Sequence, residues 1–149
     1  MQSHVKFTIS ILNQRLYLLN QLRKQGLNVS GLTQVFMALI VARFQYTLPA
    51  LAGQLSADDL RKVDAVFNKA LKWQLTSNTP YSAALIEQCD KHLFRAALNP
   101  THCLYSILPP KKNMYGRNLR KKGNGRELPL AKTKLHKDSF LMRCIYKYV

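Results

Sequence analysis

The stretch from Leu32 to Phe44 most constrains what this chain can fold into. Leu32, Val35, Phe36, Leu39, Ile40, Arg43 and Phe44 recur at i, i+3, i+4, i+7 and i+8. That spacing lines one face of a helix and leaves no alternation for a strand. A helix so apolar on one side needs partners, and the flanking sequence offers them. Phe7, Ile11, Leu18 and Leu22, with Leu12, Leu16 and Leu19 beside them, predict a helix over residues 8–25. Gly26 stops it, and Arg23 and Lys24 suit its negative end. Ser30 reads as the cap of the second helix and Pro49 as its end. The short connector of residues 26–30 predicts antiparallel packing of the two.

A third helix opens at Ser56, where Asp59 three residues on completes a capping box. Leu60, Val63, Phe67, Ala70 and Leu71 form its apolar stripe, with Trp73 near the end. Arg61, Lys62, Asp64, Lys69 and Lys72 fall on the opposite face. Leu85, Cys89, Leu93 and Ala96 mark a fourth helix over residues 82–98, with Tyr81 and Ile86 at hydrophobic-staple positions. A helical turn over residues 101–108 ends at Pro109-Pro110. From Lys111 to Lys137 neither period survives, which predicts an extended basic arm. Asp138 or Ser139 then caps a last short helix carrying Phe140, Leu141, Ile145 and Tyr148. That helix is too short to stand alone and must dock, pinning the arm at both ends. The expected fold is all-α: a small bundle of three to four helices with a basic extended arm and a short C-terminal helix. Its divisions are expected at 1–110, 111–137 and 138–149.

Charge narrows the partners. The net charge is +16, and such an excess repels itself unless a polyanion neutralises it. Residues 111–149 hold twelve Lys/Arg against two Asp/Glu, whereas residues 1–110 hold eleven against five. Nucleic acid is the first-choice polyanion and a membrane surface the second. The longest apolar run, near Val35–Val41, is too short to span a bilayer, so no membrane is expected. Three widely spaced cysteines without a CxxC pair fit a reduced intracellular compartment, and the basic run fits the nucleus.

Catalytic chemistry finds little purchase. Asp58 and Asp59 are explained by the helix start they occupy. Glu87 and Asp90 are expected to face solvent and offset Lys91. Cys89 and His92, with His102 and Cys103 further on, lack the paired-ligand loops of structural zinc and read as core cysteines and surface histidines. No phosphate loop or nucleophile elbow occurs, so no catalytic residue, metal or cofactor is assigned. The basic surfaces remain. Arg15, Lys24, Lys69 and Lys72 are helix-borne phosphate candidates. In the arm, Tyr115 sits among Lys111, Lys112, Arg117 and Arg120, interleaving a ring for stacking with cations for phosphates, and Lys121, Lys122 and Arg126 are further phosphate candidates. The plainer reading is a solvated loop, or an import signal built on Arg120-Lys121-Lys122.

The run RLYLLNQLRKQGL (Arg15–Leu27) resembles the segment following the catalytic palm in reverse transcriptases of LINE-type, non-LTR retrotransposons. Matches continue in order: Val35-Phe36-x-Ala38-Leu39-Ile40, Tyr46-x-Leu48-Pro49-Ala50, Gly53-x-Leu55-Ser56, Cys89-Asp90-x-x-Leu93-Phe94, Pro100-x-His102-Cys103-Leu104 and Leu108–Lys111. Leu119-Arg120-x-x-Gly123, Leu128-Pro129 and Lys137-x-Ser139-Phe140-x-x-Arg143-Cys144 complete the set, which spans nearly the whole chain. The resemblance implies a helical thumb-like region and the basic segment that ends the polyprotein, which clasp a template–primer duplex. RNA–DNA hybrid, RNA or DNA, and the upstream palm and fingers, are the implied partners. The catalytic carboxylates and their Mg belong to that upstream palm, so the chain is expected to be a carboxy-terminal fragment. Asn124 stands where relatives carry a histidine, and no contact is carried over there. Two readings compete: an independent small basic helical nucleic-acid-binding or protein-interaction module, and a relic without a role.

Overall fold

A computed structural model describes residues 2–111 and 125–148 of the chain. Among them the protein is mostly helical and contains no strand, so the all-α fold holds. The chain divides into two compact units, Met1–Cys89 and Asp90–Val149. The division falls inside a helix rather than at Pro109-Pro110, because the last elements of the chain pack on that helix's second half.

In the first unit, α1 (Gln2–Lys24) starts earlier than its leucines predict. Val5 and Thr8 extend the inward stripe of Leu12, Leu16 and Leu19 toward the N-terminus, and all five are buried. Gly26, at φ +92°, ends it. The Gly26 N–H bonds Arg23 O and the Leu27 N–H bonds Leu22 O, the paired bonds of a Schellman turn. The next cap is Asn28, not Ser30: its side chain accepts from the Gly31 N–H at 2.7 Å.

The second helix is longer than expected. α2 (Val29–Phe36) runs through a π segment (Met37–Val41) into α3 (Ala42–Leu51) and a 3-10 turn (Ala52–Gln54). Pro49 lies inside α3 rather than ending it. It removes one amide donor, but Leu48 and Leu51 beside it are both buried and offset the loss. The resulting 26-residue stretch is long and apolar enough to cross a membrane by length and composition, contrary to the reading of Val35–Val41 alone. In this unit its inward residues Leu32, Phe36, Ile40, Val41, Phe44 and Leu48 instead build the core with α1 and with α4 (Ala57–Lys72). Phe67 of α4 meets the rings of Phe36 and Phe44 edge-on, each at 6.0 Å.

α4 opens on the expected capping box. The Asp59 N–H donates to Ser56 Oγ at 3.1 Å, and the Ser56 N–H donates to Asp59 Oδ2 at 3.2 Å. Ser56→Ala is expected to cost about 1 kcal/mol, read as a lower denaturation midpoint with unchanged cooperativity. Asp64 is half-buried and accepts from the Ser82 N–H at 2.9 Å, capping the start of α5 (Ser82–Ala97) from another helix. The expected Tyr81 staple does not form, since Tyr81 is exposed.

In the second unit Phe94, near the end of α5, joins Leu108, Cys144 and Ile145 in a small core. A 3-10 turn (Tyr105–Ile107) precedes the prolines. The arm is not extended to its end: Thr133 caps a single turn, α6 (Lys134–Lys137), and Ser139 leads into α7 (Phe140–Lys147). α7 docks as expected, with Tyr148 stacked on Phe94 at 5.8 Å. Asp90 does not face solvent. It is buried and held by Arg143, whose Nη2 donates to both carboxylate oxygens at 2.9 and 3.1 Å.

Candidate nucleic-acid interface

Two helix ends meet in the first unit, and cations collect there. α4 finishes as α1 does. The Gln74 N–H bonds Leu71 O and the Leu75 N–H bonds Ala70 O, with Gln74 at φ 54° where α1 uses Gly26. Arg23, in the last turn of α1, donates from Nη1 to the carbonyl of Trp73, the C-cap of α4. That bond ties the two carbonyl-rich ends together. Lys24, Lys69 and Lys72 stand exposed in the last turns of the two helices. Lys69 Nζ lies 4.5 Å from the centre of the half-buried Trp73 ring. Part of this charge answers the helix dipoles. The remainder forms a basic, aromatic-lined end to the unit.

The other cations of α4 are offset. Lys62 Nζ lies 2.8 Å from Asp58 and Arg61 Nη2 3.4 Å from it. The Lys62 hydrogen bond and charge hold the Asp58 carboxyl below its ordinary range. Arg15 stands apart from the cluster. Its guanidinium donates to Leu39 O, inside the π segment, where the Ala42 N–H reaches back five residues to Met37 O. Arg15 therefore braces a wide turn, a role that helical phase could not reveal.

In the second unit the ends of the arm are fastened. Lys111 and Arg126 form an isolated antiparallel bridge, and the Glu127 N–H donates to Pro110 O at 2.9 Å. Arg126 is buried, donates to Pro109 O at 2.6 Å, and lies 5.0 Å from the Tyr105 ring centre. It belongs to the clamp, while Lys111 beside it is exposed. Lys112, Tyr115, Arg117, Arg120, Lys121 and Lys122 lie outside the described residues. Spacing places Arg23 and Trp73 each at the end of its own helix, and no local signal shows that they meet.

Among the described residues no group of three His, Cys, Asp or Glu could hold a metal. Cys103 is exposed rather than a core cysteine, with its Sγ 4.0 Å from His102 Nδ1. Cys144 is buried, and burial first, then the Asp90 charge, push its thiol up to about 12. Such a thiol is inert as a nucleophile. Comparison with known protein families, with curated proteins and with solved structures gave no match.

Proposed function

We propose that this chain is a nucleic-acid-binding, thumb-like carboxy-terminal part of a LINE-type retrotransposon reverse transcriptase, holding a template–primer duplex through phosphate contacts. The bond-forming carboxylates and their Mg are assigned to a separate palm, and the setting is nuclear. The observation that carries the reading is the meeting of α1 and α4 through Arg23 and Trp73, which concentrates Lys24, Lys69 and Lys72 at one end. The fastened base of the basic arm supports it, since a segment held at both ends loses less freedom on binding than a free tail. Lys111 and the arm cations between Lys112 and Lys122 supply further phosphate contacts, with Tyr115 as a stacking ring. Arg126 and Arg15 are given supporting parts.

The test is the salt dependence of binding to an RNA–DNA hybrid. Each phosphate contact contributes about 0.9 to the slope of log affinity against log salt on duplex DNA. Changing Lys24, Lys69 and Lys72 together to glutamine is expected to lower that slope by about 2 to 3. The helical circular dichroism should stay the same, since all three side chains are exposed. A parent protein that ignores hybrid, duplex and single strand alike at low salt overturns the reading. An unchanged slope in the triple variant removes the α1–α4 end from it. Transcript sequence ahead of the Met1 codon tests the parentage separately: an in-frame palm with paired aspartates is the expected finding.

A further inference from the structure

The second unit carries an apolar cleft that the phosphate-binding reading does not use. Ile107, Pro109, Pro110, Pro129, Leu141 and Ile145 line an opening of about 460 Å³. That volume falls within the roughly 300–1,000 Å³ usual for binding clefts. Its proline walls are tethered through their carbonyls. Pro109 O accepts from Arg126 Nη1 at 2.6 Å, Pro110 O from the Glu127 N–H at 2.9 Å, and Pro129 O from the Tyr146 hydroxyl at 2.8 Å. The cleft is therefore built in advance of any ligand. Ile107, on its wall, is 58% exposed, and Leu130 and Leu135 of the same unit are 85% and 59% exposed.

Charge selects the occupant. Residues 90–149 hold fourteen Lys/Arg against three Asp/Glu, and Asp90 is already paired with Arg143. Beside the cleft, exposed Lys111 follows Pro110, and the wall residue His136 stands on α6 with exposed Lys134 and Lys137. A second copy would bring the same excess of positive charge against its own kind. Among the lining side chains phosphates would find donors on His136 and Ser139 alone, the rest being prolines and apolar side chains. Prolines also lack the N–H that an added β-strand would pair with. A helix satisfies its own backbone and can present an apolar ridge to the cleft and carboxylates to the surrounding lysines. We propose that the cleft docks an acidic amphipathic helix of a partner protein, anchored by apolar side chains at i, i+3 or i+4, and i+7.

A fluorescein-labelled synthetic helix with leucines at those positions and glutamates elsewhere is the probe, titrated with the full chain and followed by anisotropy. Saturable binding is expected. Ile107→Lys adds attraction for the glutamates yet removes apolar wall, and it is expected to weaken binding at least tenfold. Leu141→Ala, a second wall variant, is expected to act in the same direction. A peptide with its leucines changed to serine and its glutamates kept is expected to lose binding to a similar degree. Equal binding of the serine peptide, or no effect of either wall variant, shows attraction by charge alone and overturns the proposal. Absence of peptide binding overturns it as well. Two parallel arms identify the occupant in that event. Flotation with anionic phosphatidylserine vesicles reports a lipid surface, and sedimentation of the chain alone reports a second copy, each identified by its loss in Ile107→Lys.

Discussion

Phe67→Ala is expected to lower the stability of the Met1–Cys89 unit by about 4 kcal/mol, within the range for removing a buried aromatic side chain. The reason is position as much as size. Phe67 of α4 touches both halves of the interrupted helix, meeting Phe36 ahead of the π segment and Phe44 behind it, at interplanar angles of 78° and 81°. Such edge-on pairs contribute about 1 kcal/mol beyond their buried area. Alanine loses both pairs and leaves a void in the core cluster they share. Phe67→Leu keeps most of the volume and is expected to cost about half as much. Urea denaturation followed by far-ultraviolet circular dichroism measures both. Equal losses for the two variants would show that the ring contacts, and not the volume, set the cost. A domain is typically stable by about 5–15 kcal/mol, so Phe67→Ala should also broaden amide exchange across α1.

Much of the core was legible in the sequence because burial and helical period largely coincide, although Phe7, Leu18 and Leu39, placed by the same spacing, are exposed. Leu32, Phe36, Ile40, Phe44, Val63, Phe67 and Ala70 were all placed by spacing, and all are buried. Ser56 and Asp59 were legible because a capping box is local. What the sequence hid was long-range. Asp64 caps a helix eighteen residues away, and nothing about its neighbours marks it. Arg15 serves a carbonyl of the π segment, and a π segment leaves no trace in a pattern read at 3.6 residues per turn. Pro49 misled because a local steric rule was overridden by burial on both sides of it. At the candidate interface, Lys24, Lys69 and Lys72 were found by charge. That they share one end of the unit depends on Arg23 and Trp73, fifty residues apart in sequence. By composition Arg126 is one more cation of the arm. Its burial against Tyr105 and Pro109 depends on a chain reversal that composition does not encode.

Arg143→Ala is expected to cost about 3 kcal/mol, the low end for breaking a buried ion pair, because a fifth of the Arg143 side chain reaches solvent. The loss is larger than the value of the pair itself. Asp90 is left with its carboxylate buried and unpaired, and Asp138 O loses a donor at 3.2 Å. The cost should depend on pH. Burial raises the Asp90 carboxyl above its ordinary value near 3.8, while Arg143 and then Lys147 pull it down. A carboxyl raised by folding binds its proton more tightly in the folded chain than in the unfolded one. Its contribution is therefore favourable in acid and is lost as pH rises from about 3.8 through the raised value. Removing Arg143 lifts the carboxyl further and carries that window upward. The deficit of Arg143→Ala against the parent should thus be full at neutral pH and shrink as pH falls toward 4; a deficit that stays constant removes Asp90 ionisation from the account. Asp90→Leu with Arg143→Met replaces both charges and is expected to recover most of the stability, as apolar replacements of buried pairs commonly do. The same pair helps hold α7 on α5. α7 has eight residues, below the length at which a helix persists alone, so it depends on Phe94, Leu108 and Asp90 for its place. In Arg143→Ala, hydrogen exchange should therefore quicken first in α7, with α1 and α4 unaffected. Under the proposed function, hybrid binding should weaken while its salt slope holds, since every cation proposed to meet phosphate is still present.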